Sequence, residues 1–276
     1  AYLDAQEKNH ITYNDYLSEK LANEIVLTHG KPDFITFTNV FAHIEDLNEV
    51  LRSLKILMSE NTVIVIENHY LGSVLDGNQF DTFYHEHPRT YSYKSFVHMA
   101  SSLETKLSDV EFPSRYGGNI RVFLGNKVSN ENAESIKLKE LSIKENNFFD
   151  DFSVLRNNIE NWKVSKKKFI EDHSKKNGSL SAKAFPGRAA ILVKILELDA
   201  HLITAVYEKP GSLKIGHYLP GTRIPIHSDD DFFALNEQSS TLINLAWHIP
   251  QEIRKYMLSN NYEGQIIDIL SQEDFE

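Results

Sequence analysis

The sequence contains no cysteine among its 276 residues. Disulfide bonds, thiolate catalysis and cysteine-ligated zinc are therefore excluded within this stretch. It also has no apolar run long enough to cross a bilayer, and its first residues are polar and charged, unlike a secretory signal peptide. We accordingly expect a soluble, cytoplasmic protein with no membrane partner.

Glycine is scarce in the first quarter of the chain, where Gly30 is the only one among residues 1–71. No G-x-G-x-x-G turn occurs there or further along the chain. A nicotinamide-dependent sugar oxidoreductase is therefore only a weak alternative.

Positive charge is also in deficit, because 29 Lys and Arg face 39 Asp and Glu, for a net charge of −10. A nucleic acid backbone is bound through clustered Lys and Arg, so we expect no nucleic acid partner. The basic run at residues 163–176 is interrupted by Glu171 and Asp172. Such a run is typical of a solvated helix face.

Apolar residues recur at helical and strand spacings through the first half of the chain. The pattern predicts helices over residues 14–29, 46–57 and 92–102, and strands over 34–37, 62–67, 106–112 and 120–124. Asn14 or Asp15 is the expected N-cap of the first helix. Helices and strands that alternate with short loops indicate a parallel sheet, which the last two strands are expected to close as an antiparallel pair.

Residues 130–176 are charged, helical in period and poor in Gly and Pro, with an apolar stripe formed by Phe148, Phe149, Phe152, Leu155, Ile159, Trp162 and Phe169. We interpret this stretch as a helical bridge that packs through the stripe. The last hundred residues return to an α/β pattern, with strands predicted over 180–185, 202–206 and 241–246 and a helix over 189–198. They indicate a second Rossmann-like domain.

A polar segment with the sequence N-Q-F-D-T-F-Y-H-E-H, residues 78–87, follows the strand-like run Val63–Ile66. Its histidines can exchange protons near neutral pH, its glutamate can orient one of them, and its tyrosine adds a hydroxyl. One alternative is a polar loop without chemistry. Another is a metal site built on His85 and His87, but no H-E-x-x-H pair exists, and we predict no metal.

Four segments, in this order, resemble motifs of the sugar C-methyltransferases. Residues 37–48 are similar to the family's N-N-V-L-A-H-V-x-D-L-N, residues 79–87 to Q-F-D-T-I-Y-H-E-H, residues 117–122 to H-G-G-S-L-R-V, and residues 217–226 to R-Y-L-P-G-T-H-I-P-I. The resemblance implies an S-adenosylmethionine-dependent enzyme of deoxysugar biosynthesis that methylates carbon on a nucleotide-linked ketosugar. Its expected partner is thus a small-molecule nucleotide sugar.

The resemblance also implies the fold. Residues 1–128 are expected to form the carboxyl-terminal portion of a class I methyltransferase domain, which is Rossmann-like, residues 129–176 the helical bridge, and residues 177–276 a Rossmann-like α/β domain that binds substrate or nucleotide. Family members open with a cysteine-rich zinc module and a glycine-rich turn that holds the cofactor. Neither is present in these 276 residues, so we expect zinc and the main S-adenosylmethionine loop to lie outside this chain.

Carried over position by position, the resemblance assigns His87 as the catalytic base, with Tyr84 and Glu86 orienting it or holding the sugar. Asn39 and His43 are expected at the cofactor pocket, and His85 is a weaker candidate that is expected on the substrate side.

Three further segments are candidate substrate contacts. Gly187 and Arg188 lie in a turn between a predicted strand and helix, where backbone N–H groups and a guanidinium suit a phosphate. Glu208 is a candidate contact to the ribose or phosphate, and Tyr218, beside a Pro-Gly turn, is a candidate ligand contact. An alternative that the sequence leaves open is a non-catalytic nucleotide-sugar-binding homologue that has lost methyl transfer.

Overall fold

The computed structural model describes residues 2–114, 117–126, 133–235 and 241–276. The α-helices in these ranges are α1 Tyr2–Glu7, α2 Glu19–His29, α3 Leu47–Leu57, α4 Leu71–Asp76, α5 Tyr93–Ser102, α6 Ala133–Lys144, α7 Phe148–Asn177, α8 Ala189–Ile195, α9 Asp229–Ala234 and α10 Pro250–Ser259. The strands are β1 Phe34–Thr38, β2 Val63–His69, β3 Leu107–Glu111, β4 Asn119–Leu124, β5 Leu180–Lys183, β6 Ile203–Glu208, β7 Ile226–Ser228, β8 Leu242–Asn244 and β9 Ile266–Asp268.

The chain forms two compact units, each of which is discontinuous in sequence. The first contains residues 1–71, 88–113 and 118–146, and the second contains residues 72–87, 114–117 and 147–276. The polar segment that carries the Y-H-E-H motif belongs to the second unit, together with the carboxyl-terminal half of the chain. The three-part division predicted from the sequence stays a prediction.

The first unit is built on a four-stranded sheet in the order β1-β2-β4-β3. Strands β1 and β2 are parallel, and β4 runs antiparallel to both of its neighbours. The antiparallel closing pair predicted from the sequence is therefore confirmed. Ile64 and Ile66 of β2 are fully buried, as expected for a strand in the middle of a sheet.

Helix starts follow capping residues. The Asp46 side chain accepts a hydrogen bond from Glu49 N at the start of α3, and Ser92 forms a capping box with Ser95 at the start of α5. The predicted N-cap of α2 was wrong. That helix begins after Ser18, whose hydroxyl accepts from Leu21 N, and not at Asn14 or Asp15.

A buried carboxylate holds the start of α5 in the first unit. Glu145 accepts hydrogen bonds from the backbone N–H groups of Tyr93 (2.6 Å) and Lys94 (2.9 Å) and from the hydroxyl of Tyr70 (3.1 Å). The first backbone N–H groups of a helix have no partner within the helix, and its N-terminus favours negative charge. Glu145 satisfies both requirements.

The second unit contains a five-stranded, fully parallel sheet in the order β7-β6-β5-β8-β9. Numbered within the sheet, this is the doubly wound order 3-2-1-4-5, so the predicted Rossmann-like fold is confirmed. Strand β5 ends at Lys183, earlier than predicted, because Ala184 adopts a left-handed conformation (φ 61°) that an extended strand cannot continue. Helix α8 also ends earlier than predicted, at Ile195.

Helix α7 packs into the core of the second unit through part of the predicted stripe. Trp162 is fully buried, its indole N–H donates to Ile269 O (3.1 Å), and its ring lies edge-on to Phe80. Three other members of the stripe, Phe149, Phe152 and Phe169, are exposed, contrary to the prediction. The prediction that the basic run forms a solvated helix face was wrong for Lys166, which is buried and paired with Asp274 (2.7 Å).

Candidate active site

The signature loop, residues 79–87, follows α4 and begins with a 3₁₀ turn, Phe80–Thr82. The Gln79 Nε2 group donates to Gly117 O (2.8 Å) and fixes the entrance to the loop. A side chain at Gly117 would place its Cβ 2.5 Å from Gln79 Oε1, and the backbone there has a positive φ of 84°. The positive φ favours glycine at this position, and a side chain there would push the Gln79 amide away from its bond to Gly117 O.

His87 ends the loop, and one of its ring nitrogens is oriented by the backbone. Nδ1 lies 3.1 Å from Thr82 O, while the backbone N–H of His87 donates to Tyr84 O (2.8 Å). A carbonyl oxygen can only accept, so Nδ1 carries the proton and the lone pair of the neutral imidazole is on Nε2. This tautomer presents Nε2 as the basic atom.

Tyr84 and Glu86 form a hydrogen-bonded pair beside His87. The Tyr84 hydroxyl donates to Glu86 Oε2 (3.1 Å), and the centroids of the Tyr84 and His87 rings are 4.6 Å apart. Burial, followed by the bond to Glu86, raises the pKa of Tyr84 to about 12. Tyr84 is therefore a phenol at neutral pH and can act as a hydrogen-bond donor.

His85 is the most exposed member of the motif. Its side chain is 86% exposed, and its Nε2 lies 3.9 Å from Glu86 Oε1. An exposed pair at this distance contributes little to orientation. The structure therefore separates His85 from the more sheltered Tyr84 and His87.

The turn predicted to contact a phosphate lies against the same loop. A Cβ built on Gly187 would be 3.6 Å from Tyr84 Cε2 and 3.8 Å from Glu86 Oε1. Gly187, Tyr84, Glu86 and His87 are thus brought together within the second unit. Helix α8, which follows the turn, has only seven residues.

Arg188 is engaged by Asp81. Its Nε and Nη2 donate to the two oxygens of Asp81 at 2.8 and 2.6 Å, and the indole N–H of Trp247 donates to Asp81 at 2.8 Å. The guanidinium also lies over the Trp247 ring, 5.3 Å from its centroid. Asp81 is 0% exposed and has three donors on its two oxygens.

Glu208 and Tyr218, the other two predicted substrate contacts, differ in their surroundings. Glu208 accepts from the backbone N–H of Phe185 (2.8 Å) and lies 3.6 Å from Lys214 Nζ. Tyr218 is 55% exposed, with the Arg223 guanidinium 5.9 Å from its ring. Their substrate contacts stay a prediction.

A buried ion pair lies at the carboxyl end of β5. Lys183 Nζ donates to both oxygens of Asp229, each at 2.9 Å, and to Tyr207 O at 3.1 Å. Burial lowers the pKa of Lys183, and Asp229 opposes that shift. The pair joins β5, β6 and the start of α9.

The two residues predicted at the cofactor pocket belong to the first unit. Asn39 follows β1 in a left-handed conformation (φ 53°), and Asn119 Nδ2 donates to its Oδ1 (3.2 Å). Asn119 also donates to the buried Glu67, whose carboxylate accepts from Arg121 at 2.7 and 2.9 Å. His43 ends a 3₁₀ turn and is exposed.

Neither metal centres nor membrane spans are found in the part of the chain that the structure describes. No group of three or more His, Cys, Asp or Glu there has a geometry that could hold a metal ion. Within the same residues, no helix is both long and apolar enough to cross a bilayer.

Comparison with known proteins identifies the family of this chain. The family model for the C-methyltransferase C-terminal domain matches residues 114–268, which is more than half of the chain. The chain belongs to the C-methyltransferase family. A general methyltransferase domain model matches residues 4–104, and the resemblance seen in the sequence is thereby confirmed at the level of the family.

C-methyltransferase NovU of Streptomyces niveus is 25% identical to this chain over 240 residues. The match covers 85% of this chain and 56% of NovU, so the chain spans about half the length of this relative. The comparisons do not favour the alternative of a non-catalytic homologue.

Two features of this region were not predicted from the sequence. Trp247 was not singled out, although it follows β8 at the sheet edge where ligand crevices lie. The pair of Lys183 and Asp229 was also missed, and a lysine inside an apolar strand was the available signal.

Proposed function

We propose that this protein is an S-adenosylmethionine-dependent methyltransferase that methylates a carbon of a nucleotide-linked ketosugar. The observation that carries the proposal is the arrangement of His87, Tyr84 and Glu86 in a chain of the C-methyltransferase family. Carbon methylation next to a ketone needs a base for the α-proton and a donor for the enolate oxygen. A cytoplasmic location stays a prediction.

His87 is the proposed base. Its Nδ1–H is held by Thr82 O, so in the neutral form the lone pair lies on Nε2, the atom proposed to take the α-proton. The electron pair of the broken C–H bond then forms the enolate, whose carbon becomes the nucleophile. The proton ends on Nε2.

Tyr84 and Glu86 have supporting roles in this proposal. Tyr84 keeps its proton at neutral pH because burial and Glu86 raise its pKa to about 12. It can therefore donate to a substrate oxygen if its hydroxyl turns away from Glu86. Glu86 holds that hydroxyl in place before substrate enters.

S-adenosylmethionine would supply the methyl group when bound. The residues at the carboxyl end of the first sheet fit one side of such a polar ligand, since Asn68 is buried and its Nδ2 has no hydrogen-bond partner among the described residues. Asn39 and His43, which follow β1, are the proposed contacts to it.

Substrate contacts are proposed for Gly187, Glu208, Tyr218 and His85. Gly187 is the best supported, because a Cβ at this position would be in van der Waals contact with Tyr84 and Glu86 of the proposed catalytic segment. A phosphate contact by Arg188 would compete with its bonds to Asp81.

Replacement of His87 by Gln tests the proposed base. We expect methyl transfer by the full-length protein to fall about 10²–10⁴-fold, the usual contribution of a general base. Exchange of the substrate α-proton with D₂O, followed by NMR, should fall equally, because it needs only the base. His201→Gln, at an exposed position of the same unit with no proposed role, is the matched control and should retain activity within a few-fold. Equal activities of the two variants would overturn the assignment.

A further inference from the structure

Asp81 of the signature loop is buried and accepts three side-chain hydrogen bonds. It has no exposed surface, yet it is a carboxylate that accepts from Arg188 Nε, Arg188 Nη2 and Trp247 Nε1. Its two partners lie 107 and 166 residues further along the chain. A buried charge is tolerated only when it is paired and hydrogen-bonded, as it is here.

The two partners come from neighbouring loops of one sheet. Arg188 follows β5 and Trp247 follows β8, and these strands are adjacent and parallel. They flank the point where the strand order of the doubly wound sheet reverses, which is where such sheets bind ligands in a crevice. In this chain the two loops at that crevice bind the carboxylate of Asp81.

We propose that Asp81, Arg188 and Trp247 form a latch, here named the Asp81 latch, that positions the Tyr84–His87 segment. The catalytic part of this inference rests on the proposed function. Only two residues separate Asp81 from Tyr84, and Gly187 adjoins Arg188 while it lies against Tyr84 and Glu86. Asp81 thus anchors the signature loop just before Tyr84, and Arg188 anchors the turn just after Gly187. The latch holds the two segments together where they touch.

The geometry favours positioning over a direct phosphate contact by Arg188. A guanidinium that pairs with a carboxylate through two parallel N–H···O bonds is held in one orientation. The Trp247 ring further restrains it from the side. Binding a phosphate through the same N–H groups would leave Asp81 buried without its cation.

The contact itself can be tested on the two tryptophans of this chain. In protein labelled with ¹⁵N-tryptophan, the indole N–H signals report Trp247 on Asp81 and Trp162 on Ile269 O. We expect Asp81→Asn and Arg188→Met to shift the Trp247 signal and to leave the Trp162 signal in place. A Trp247 signal that moves in neither variant would overturn the latch.

A second measurement tests whether the latch positions the signature loop around His87. We expect both variants to shift the His87 ring ¹⁵N signals, assigned with His87→Gln, because the loop loses its anchor. Lys183→Met is the matched control, since it breaks a buried ion pair of the same unit that has no bond to the loop. It should leave the His87 signals unchanged at temperatures where all variants remain folded by circular dichroism.

The activity arm separates positioning from phosphate binding. Positioning predicts that Asp81→Asn and Arg188→Met lower kcat at least tenfold with KM within about threefold, and that Arg188→Lys restores little because lysine cannot form the paired bonds. A KM raised in Arg188→Met alone would overturn positioning in favour of a substrate contact. If the wild type shows no methyl transfer, the proposed function is wrong. The Trp247 and His87 signals would still show whether Asp81, Arg188 and Trp247 position the loop.

Discussion

At the scale of single residues, His248 has a pKa that burial and its position beside the latch residue Arg188 lower. Burial, followed by the positive charge of Arg188, lowers the pKa of His248 from 6.5 to about 4. Its Nδ1 has no hydrogen-bond partner among the described residues. The imidazole is therefore neutral at pH 7, which keeps a second positive charge away from Arg188.

The lowered pKa of His248 predicts a pH dependence of stability. Between about pH 6.5 and pH 4 the unfolded chain binds more protons at this site than the folded chain, so the free energy of unfolding falls as the pH is lowered through that window. We expect His248→Asn to lose less stability than the wild type between pH 7 and pH 4.5. Thermal melts at the two pH values measure this, and parallel losses in both proteins would contradict it.

The residues of the candidate site differ in how readily the sequence reveals them. His87, Tyr84 and Glu86 lie within four positions, so a local pattern predicts them. The Asp81 latch joins positions 107 and 166 residues apart, and no local pattern carries that pairing. Only the fold of the sheet brings the two loops to the same edge.

At the scale of elements, the start of α5 depends on a residue from outside the helix. Ser92 caps the helix locally, while Glu145 binds the N–H groups of Tyr93 and Lys94 from more than 50 positions away. A charged acceptor at this position is stronger than water, which would otherwise solvate the same N–H groups.

Glu145→Ala should therefore lower the free energy of unfolding by about 1.5–3 kcal/mol, the range for hydrogen bonds to a charged group. Glu140→Ala, at an exposed position of α6, is the control and should change it by less than about 0.5 kcal/mol. Urea denaturation of both variants provides the comparison. Equal losses would mean that Glu145 has no capping role.

Elements with strong local signals were predictable, and short strands were not. Asp46 and Ser92 mark the starts of α3 and α5, where capping chemistry is visible in the sequence. Strands β7 and β9 have three residues each, too few for a period to appear. They exist because β6 and β8 offer unpaired edges in parallel register.

At the scale of the whole molecule, the second unit draws its core from three stretches of the chain. Trp162 of α7 contributes a fully buried ring, and Phe80 of the signature loop packs edge-on against it. Neither residue lies within 177–276, although that range contains the entire parallel sheet. The sheet therefore lacks part of its cover when that range is isolated.

We predict that residues 177–276 alone do not fold. Loss of a buried tryptophan by itself costs about 3–5 kcal/mol, a large part of the stability of a typical domain. The ¹H–¹⁵N spectrum of this fragment should show poorly dispersed amides, and a fragment of residues 147–276, which restores α7, should show more dispersion. Native-like dispersion in the shorter fragment would refute the prediction.

The pairing of Asp81 with Arg188 and Trp247 limits how this chain can be recombined with its relatives. A chimera that exchanges only the carboxyl-terminal hundred residues would join a new arginine loop and a new tryptophan loop to the old aspartate. Any mismatch would leave a charge buried without its partner. Exchanges meant to alter specificity should therefore carry residues 72–87 together with 147–276, so that the loop and its anchors come from the same parent.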